Sequence, residues 1–314
     1  MLKKCLTTAT VMLALGGAAH AQDYPVDPVL LVTHSSPGAG GDVFLRELAK
    51  AIAPELGVNV IVENVSGGSG ATAMAYMAEA PKDGSVFYGT TPTFIYTSLL
   101  SNPEYSYKDL DPLVNVFEDP EVIFTSTKGS IKTLEDAMNK ARESRGTWGA
   151  SNPSSLERQS LELLKSVSGV NAAIVTHEGG GDMLINVLNG TLDIGVGEMQ
   201  ELRAQIEAGE VIPLAILGKK RLPGYPDVPT ATELGYDVVV RKFRGIAAPK
   251  GLPEDIAAKW EAAVSDALER PDFKEWYENN SLKPDFMPQS EYRAFINSFA
   301  EDTGAFLRSV GVIE

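Results

Sequence analysis

The chain has 314 residues with 27 Lys+Arg against 42 Asp+Glu, a net charge of −15, 44% hydrophobic residues, three His and one Cys. That length suits about two domains of 100–200 residues, each large enough for its own core. One cysteine excludes a disulfide framework and a cysteine zinc site, and the acidic balance argues against nucleic acid as a partner.

In chain order, Lys3 and Lys4 precede an apolar stretch through Ala9, Val11, Leu13 and Leu15, and Ala19-His20-Ala21 offers small residues for cleavage. This pattern predicts a secretory signal peptide over residues 1–21. The apolar run is shorter than the roughly 20 residues that span a bilayer. Cys5 lies ahead of the apolar core, so the expected mature chain is acidic, unlipidated and free of cysteine.

Next, Val29–Thr33 reads as a β-strand, the Pro37–Gly41 turn follows, and Phe44, Leu48 and Ile52 recur at helical spacing. Val58–Val62 predicts a second strand leading through Ser66–Gly70 into a helix with Met74 and Met77, and Ser85–Gly89 a third. Strand, loop and helix in repetition imply an α/β fold with parallel strands, whose ligands bind outside the strands' carboxyl ends. A second unit of the same kind runs through Val122–Ser126, Trp148–Asn152, Ala172–Val175 and Asp193–Val196. After Val238–Val240 the pattern turns helical, with Ile256, Trp260, Val264 and Leu268 on one face and Tyr292, Phe295, Ile296 and Phe299 on another. No internal repeat or low-complexity tract interrupts the chain.

Enzyme chemistry finds little support in these residues. Beyond the leader only His34 and His177 remain, in no metal-ligand spacing, so no metal site is expected. Gly67–Ala71 lacks the last glycine of a nucleophile elbow. Gly68–Ala73 fits a dinucleotide pattern, but no acid occurs between Asp83 and Glu104 to hold a ribose. No catalytic residue and no cofactor are expected; a hydrolase using Ser69 or Ser151 is the weakest reading.

The glycine loops suit an anion better. Unpaired N–H groups and the dipole at a helix start favour negative charge. Loops 35–42 and 66–72 would present two such starts, with Ser36, Ser66, Ser69 and Thr72 adding hydroxyl donors, while Asp42 reads as a helix cap. From the second unit, Ser151, Asn152, Ser154 and Ser155, then Thr176 and His177 before Gly179-Gly180-Gly181-Asp182, form polar loops that could close from the other side or serve only as turns and caps. Thr91 is a further candidate, Glu198 could orient an amine or hydroxyl, and Arg244 could pair with a second carboxylate.

Pro37–Asp42, Val62-Glu63-Asn64 running into Gly67–Ala71, Ala80–Gly84, Leu188–Asp193, Leu222–Thr230 with Glu233-Leu234-Gly235, and Gly245–Pro249 follow one another in register. In that order and spacing the mature chain resembles the tripartite tricarboxylate transporter substrate-binding receptors, the Bug family. The resemblance implies a two-domain periplasmic binding protein of type II with the ligand in an interdomain cleft. Domain 1 would hold residues 22–124 and 241–314 and domain 2 residues 125–240, with crossings near Thr125 and Val240. It implies one ligand carboxylate held by Ser36, Ala39, Gly40 and Gly41 and by Gly68, Ser69, Gly70 and Ala71. Discriminating contacts would come from domain 2, the candidates there being Ser151, Asn152, Ser154, His177, Gly180, Gly181, Asp182 and Glu198. The implied partners are a small organic carboxylate and the membrane permease subunits, for a monomeric receptor, with presentation to a membrane sensor as the alternative. Two positions depart from the family pattern. Thr176-His177-Glu178-Gly179 stands where many members carry Pro-Tyr-Lys-Gly, and Phe243 replaces a common Trp. Loss of that lysine leaves the charge of the ligand's far end open, between a second carboxylate on Arg244 and an ammonium on Glu198 or Glu178.

Overall fold

A computed structural model describes residues 24, 26–309 and 311–314; the expected signal peptide lies outside the described residues. The chain begins with β1 (Val29–Thr33), α1 (Gly40–Leu56), β2 (Val60–Asn64), α2 (Ala71–Glu79), β3 (Val86–Thr90), α3 (Pro92–Ser101) and β4 (Leu110–Glu118). It continues with β5 (Glu121–Ser126), α4 (Leu134–Glu143), β6 (Gly146–Ala150), α5 (Leu156–Ser168), β7 (Ala172–Thr176), α6 (Gly180–Leu188), β8 (Ile194–Glu198), α7 (Met199–Glu207) and β9 (Val211–Ile216). It ends with β10 (Phe243–Pro249), α8 (Glu254–Glu269), α9 (Pro271–Asn279), β11 (Lys283–Met287) and α10 (Gln289–Ser309).

Two sheets result, a six-stranded one ordered β11-β4-β10-β3-β1-β2 and a five-stranded one ordered β7-β6-β8-β5-β9. The fold is α/β, as the alternation implies, but both sheets are mixed. Strands β1, β2 and β3 are parallel, as are β6, β7 and β8. Strand β10 runs antiparallel to β3 and β4, and β5 antiparallel to β8 and β9. The edge strand β11 is antiparallel to β4 as well. The chain leaves the first sheet at the end of β4, enters the second at Glu121, and returns as β10. The passages fall at residues 119–120 and just before Phe243. Thr125 therefore lies inside β5, and Val240 lies ahead of the return, where its N–H still bonds the Leu217 carbonyl of the second unit.

Each sheet is covered on both faces, which accounts for strands such as β3 and β5 that are buried along their whole length. Phe44, Leu48 and Ile52 of α1 pack with Trp260 and Val264 of α8 on one face of the first sheet. Met74 and Met77 of α2 meet Tyr292 and Ile296 of α10 on the other. Trp148 and Leu164 anchor one face of the second sheet, Phe124 and Met183 the other. Among the described residues no helix is long and apolar enough to cross a membrane.

Candidate functional site

The loops that follow β1, β2 and β3 in the first sheet face those that follow β6, β7 and β8 in the second, and all leave the carboxyl ends of parallel strands. Between them lies a cavity of about 30 Å³ lined from both sides, by His34, Ala39, Gly40, Gly41 and Thr91 and by Ser151, Asn152, Glu157, Glu198 and Glu201. Lys242 and Arg244, at the return passage, complete it. A neighbouring cavity of about 140 Å³ shares His34, Asn152 and Glu178 with the first and is otherwise lined by Gly67–Gly70, Pro153 and His177.

Local chemistry fixes the first-sheet loops. Asn64, at the end of β2, donates 2.9 Å bonds to Ser35 O and to Asp42 Oδ1, tying the second loop to the first. Asp42 is not the helix cap; Ala39 holds that position, and Asp42 sits in the first turn of α1. Its carboxylate accepts from the Gly38 N–H at 2.9 Å and from Arg46 Nε at 3.0 Å. These bonds hold its carboxyl below the usual range against the opposing effect of burial. Gly70 has φ 95°, and a Cβ there would lie 3.3 Å from the His34 ring, so only glycine suits the position. Ser69 beside it is left-handed at φ 56° without being glycine, and its carbonyl accepts from Thr97 Oγ1 at 2.7 Å. His34 is buried, and its Nδ1 shares a 2.7 Å hydrogen bond with Tyr88 OH. Burial first, then the charges of Arg244 and Lys242, push its pKa down to about 4, so the ring is neutral at neutral pH.

The two sides touch. A Cβ on Gly179 would overlap Ser36 Oγ, and one on Gly181 would lie 3.4 Å from Pro37 O. A Cβ on Gly40 would come within 2.6 Å of both Arg244 Nη2 and Glu198 Oε2, which explains the glycine at the start of α1. The Gly40 N–H favours the carboxylate of Glu201 on α7, so a side chain of the second sheet comes up to the helix start of the first.

Beneath this contact lies a network of buried charges. Lys242 Nζ donates to Glu157 Oε1 at 2.7 Å, to Glu121 Oε1 at 3.4 Å and to Glu198 Oε1. Arg244 Nε donates to Asp119 Oδ2 at 2.8 Å, and its Nη2 lies 3.0 Å from Glu198 Oε1 without hydrogen-bond geometry. Glu121, Glu157 and Glu198 present oxygens within 4.8 Å of one another, a spacing that would suit a metal ion. The Lys242 ammonium reaches all three and supplies that positive charge. Glu121 is pushed up to about 8 by burial, with Lys242 opposing. Burial also lifts Glu201 to about 8, with the charge of Glu157 next in effect.

Of the residues expected from sequence, Ala39, Gly40, Gly41, Thr91, Ser151, Asn152, Gly180, Glu198 and Arg244 line the smaller cavity, and Gly68, Ser69, Gly70, Asn152 and His177 the larger. Ser36 and Gly181 stand at the contact between the two sides. Ala71 starts α2, and neither it nor Thr72, which is exposed, lines either cavity. Asp182 is exposed in the first turn of α6. Ser154 is buried, its N–H donating to Asn152 Oδ1, and Ser155 caps α5. Phe243 packs among Tyr292, Phe295 and Phe299 rather than in the cleft. The sequence reading missed Lys242, Glu157, Glu201, Asp119 and Glu121. Arg241-Lys242-Phe243-Arg244, a basic segment in an acidic chain at the return passage, was the available signal for the first.

A sequence profile described as the tripartite tricarboxylate transporter family receptor matches residues 44–312. Among curated proteins, BugT of Bordetella pertussis is 26% identical over 318 residues, covering 98% of each chain. The solved periplasmic binding protein BugD superposes with a TM-score of 0.86 at 24% identity, over 92% of this chain and 99% of that one. MatC from Rhodopseudomonas palustris, solved with bound malate, gives 0.80 at 25% identity, over 93% and 100%. The fold is that of the two-domain periplasmic binding proteins. With the profile spanning most of its length, the chain belongs to the tripartite tricarboxylate transporter receptor family, whose members are solute-binding receptors and not enzymes.

Proposed function

We propose that the chain is exported, loses residues 1–21, and acts in the periplasm as a monomeric receptor for a small organic carboxylate, which it delivers to the permease subunits of a tripartite tricarboxylate transporter. The observation that carries this reading is the pair of adjoining cavities lined by loops of both sheets, with glycine-rich helix starts on the first. The malate bound in MatC supports a carboxylate as the ligand. In this reading the two sheets with their helices, residues up to 118 with 243–314 and residues 121–240, move as two domains about the passages at 119–120 and 241–242. A cavity of about 30 Å³ holds little more than a water-sized group, so a ligand enters an opened cleft and favours closure by touching both sides.

The test is a thermal-shift series on the mature protein with mono-, di- and tricarboxylates and amino acids, with mass spectrometry of whatever the unfolded protein releases. A ligand at 100 times its dissociation constant adds about 2.7 kcal/mol, a rise of several degrees. No rise with any carboxylate-bearing compound, together with no released ligand, would overturn the reading.

A further inference from the structure

The charges that line the smaller cavity are unequal. Glu157, Glu178, Glu198 and Glu201 face it, against Lys242 and Arg244. Both cations are already committed. Lys242 Nζ is shared by Glu121, Glu157 and Glu198, and Arg244 is bonded to Asp119 and lies against Glu198. Arg244 Nη2 has no hydrogen-bond partner, but it lies 3.0 Å from Glu198 Oε1, so its charge is already matched and a second ligand carboxylate would have to compete with a buried acid for either cation.

Among the unpaired buried atoms of the lining residues, the carboxylate oxygens outnumber the one cationic donor, Arg244 Nη2. Glu157 Oε2 and Glu201 Oε1 are buried and have no hydrogen-bond partner, and both residues are more than nine-tenths buried. Buried polar atoms are almost always paired, so two orphaned carboxylate oxygens facing one cavity call for a donor. Glu201 also lies beside the α1 helix start, where the Gly40 N–H favours its carboxylate. That leaves Gly68–Gly70 and the larger cavity for a ligand carboxylate. The sizes agree: about 140 Å³ beside the glycine loop takes a carboxylate and a short carbon chain, and about 30 Å³ takes a compact group such as an ammonium.

We infer that the ligand carries a cationic nitrogen held between Glu157 and Glu201 and a single carboxylate at Gly68–Gly70, which makes it an amino acid or a related zwitterion rather than a di- or tricarboxylate. This deepens the receptor reading and rests on it. A readout specific to the inference is proton release. Glu201 is faced by Glu157 from α5, Asp119 from the first passage, Arg244 from β10, Gly40 from α1 and Gly180 from α6. Its carboxyl is protonated at neutral pH, held up to about 8. A bound cation favours the carboxylate and expels that proton, whereas a bound anion would retain it.

The experiment compares 3-aminopropanoate, 4-aminobutanoate and the α-amino acids with butanedioate and pentanedioate by thermal shift, then by calorimetry at pH 7 in two buffers of different ionisation enthalpy. The expected result is that an amine-bearing member binds at least tenfold more tightly than the dicarboxylate of matching length, with proton release. Glu201→Gln, nearly isosteric, should weaken that member at least tenfold and abolish the release while melting as a folded protein. Glu157→Gln serves as the second variant, with the same expected loss of affinity. A dicarboxylate that binds as tightly as its amine counterpart, or binding without proton release, would overturn the inference and leave the receptor reading standing. No binding by any member would overturn both.

Discussion

Replacement of Lys242 by methionine tests the buried network directly. Lys242 is 4% exposed, and its acceptors Glu121 and Glu198 are 1% and 2% exposed. Methionine keeps much of the packing volume and removes the charge shared by three carboxylates whose oxygens lie within 4.8 Å of one another. At that separation two like charges repel by about 3.5 kcal/mol at an effective dielectric constant near 20. With Glu121 raised to about 8, a single like-charged pair among the three acids sets the scale. Breaking a buried ion pair from one side costs about 3–5 kcal/mol, in agreement with that estimate. For a protein of this size each kcal/mol moves the melting temperature by about 2 °C, so Lys242→Met should melt roughly 6–10 °C lower at pH 7.5. At pH 5 the acids take up protons more readily and the deficit should shrink. The assay is circular dichroism melting at both pH values, with the exposed Lys250→Met as the control. A variant that melts within 2 °C of the parent at pH 7.5, or one with the same deficit at both pH values, would refute the assignment.

Other consequences can be measured. Gly179 is extended at φ −174°, a conformation open to any residue, so Gly179→Val should leave the fold intact and clash only with Ser36 across the cleft. Overpacking of about 1–3 kcal/mol corresponds to roughly 5- to 150-fold weaker binding by calorimetry, and unchanged affinity would show that these loops do not meet in the bound state. Asp42→Ala loses acceptors for Gly38, Arg46 and Asn64, so its urea midpoint should fall by the equivalent of about 1–3 kcal/mol; an unchanged midpoint would exclude a structural role. With pH, Glu121 and Glu201, raised to about 8, keep protons in the folded chain that the unfolded chain releases above about pH 4.5. Their stabilisation is full below that pH and lost as pH rises through 8. His34, lowered to about 4, opposes them below about pH 6.5, where the unfolded chain gains its proton. The melting temperature should therefore fall most steeply between pH 6.5 and 8.5, by roughly 1 kcal/mol per pH unit for each acid; a flat or rising profile there would contradict the protonation states assigned.

Much of the fold could be read along the chain because its strand and helix signals are local. β1, α1 and β7 fall where the apolar spacing places them, and β2 and β3 differ by one or two residues. β4, β9, β10 and β11 were not anticipated. β4 and β11 carry prolines and charges inside the strand, at Pro112, Pro284 and Asp285, and no periodicity announces an antiparallel partner so distant in sequence. The family motifs themselves are largely turn chemistry. Asn64 and Asp42 tie loops together, and Glu233 bonds Arg221 and the Thr230 N–H. The site's glycines and hydroxyls were legible because helix starts have a compositional signature. Its charges were not. Glu157 and Glu201 look like the acids that favour any first helical turn, and only the packing of two sheets shows that they face inward.

The position of the charges bears on how the cleft would close. Asp119 and Lys242 lie on the two passages, and the Asp119 N–H bonds the Lys242 carbonyl at 2.9 Å, so rotation about the passages leaves the Arg244–Asp119 pair near its axis. The contacts across the cleft are different: Glu201 with Gly40, and Gly179 with Ser36, lie between loops of opposite sheets. Such a closure would remove Glu201 from water beside the Gly40 N–H while its Oε1 stays unpaired. Desolvating an acid in this way opposes closure. A ligand that supplies the missing donor offsets that cost in the closed state alone, which is the differential interaction a population shift requires. Moving a cleft from 99% open to 99% closed takes about 5.5 kcal/mol of such preference, and a charge-assisted bond to each of Glu157 and Glu201, at about 1.5–3 kcal/mol apiece, is of that order.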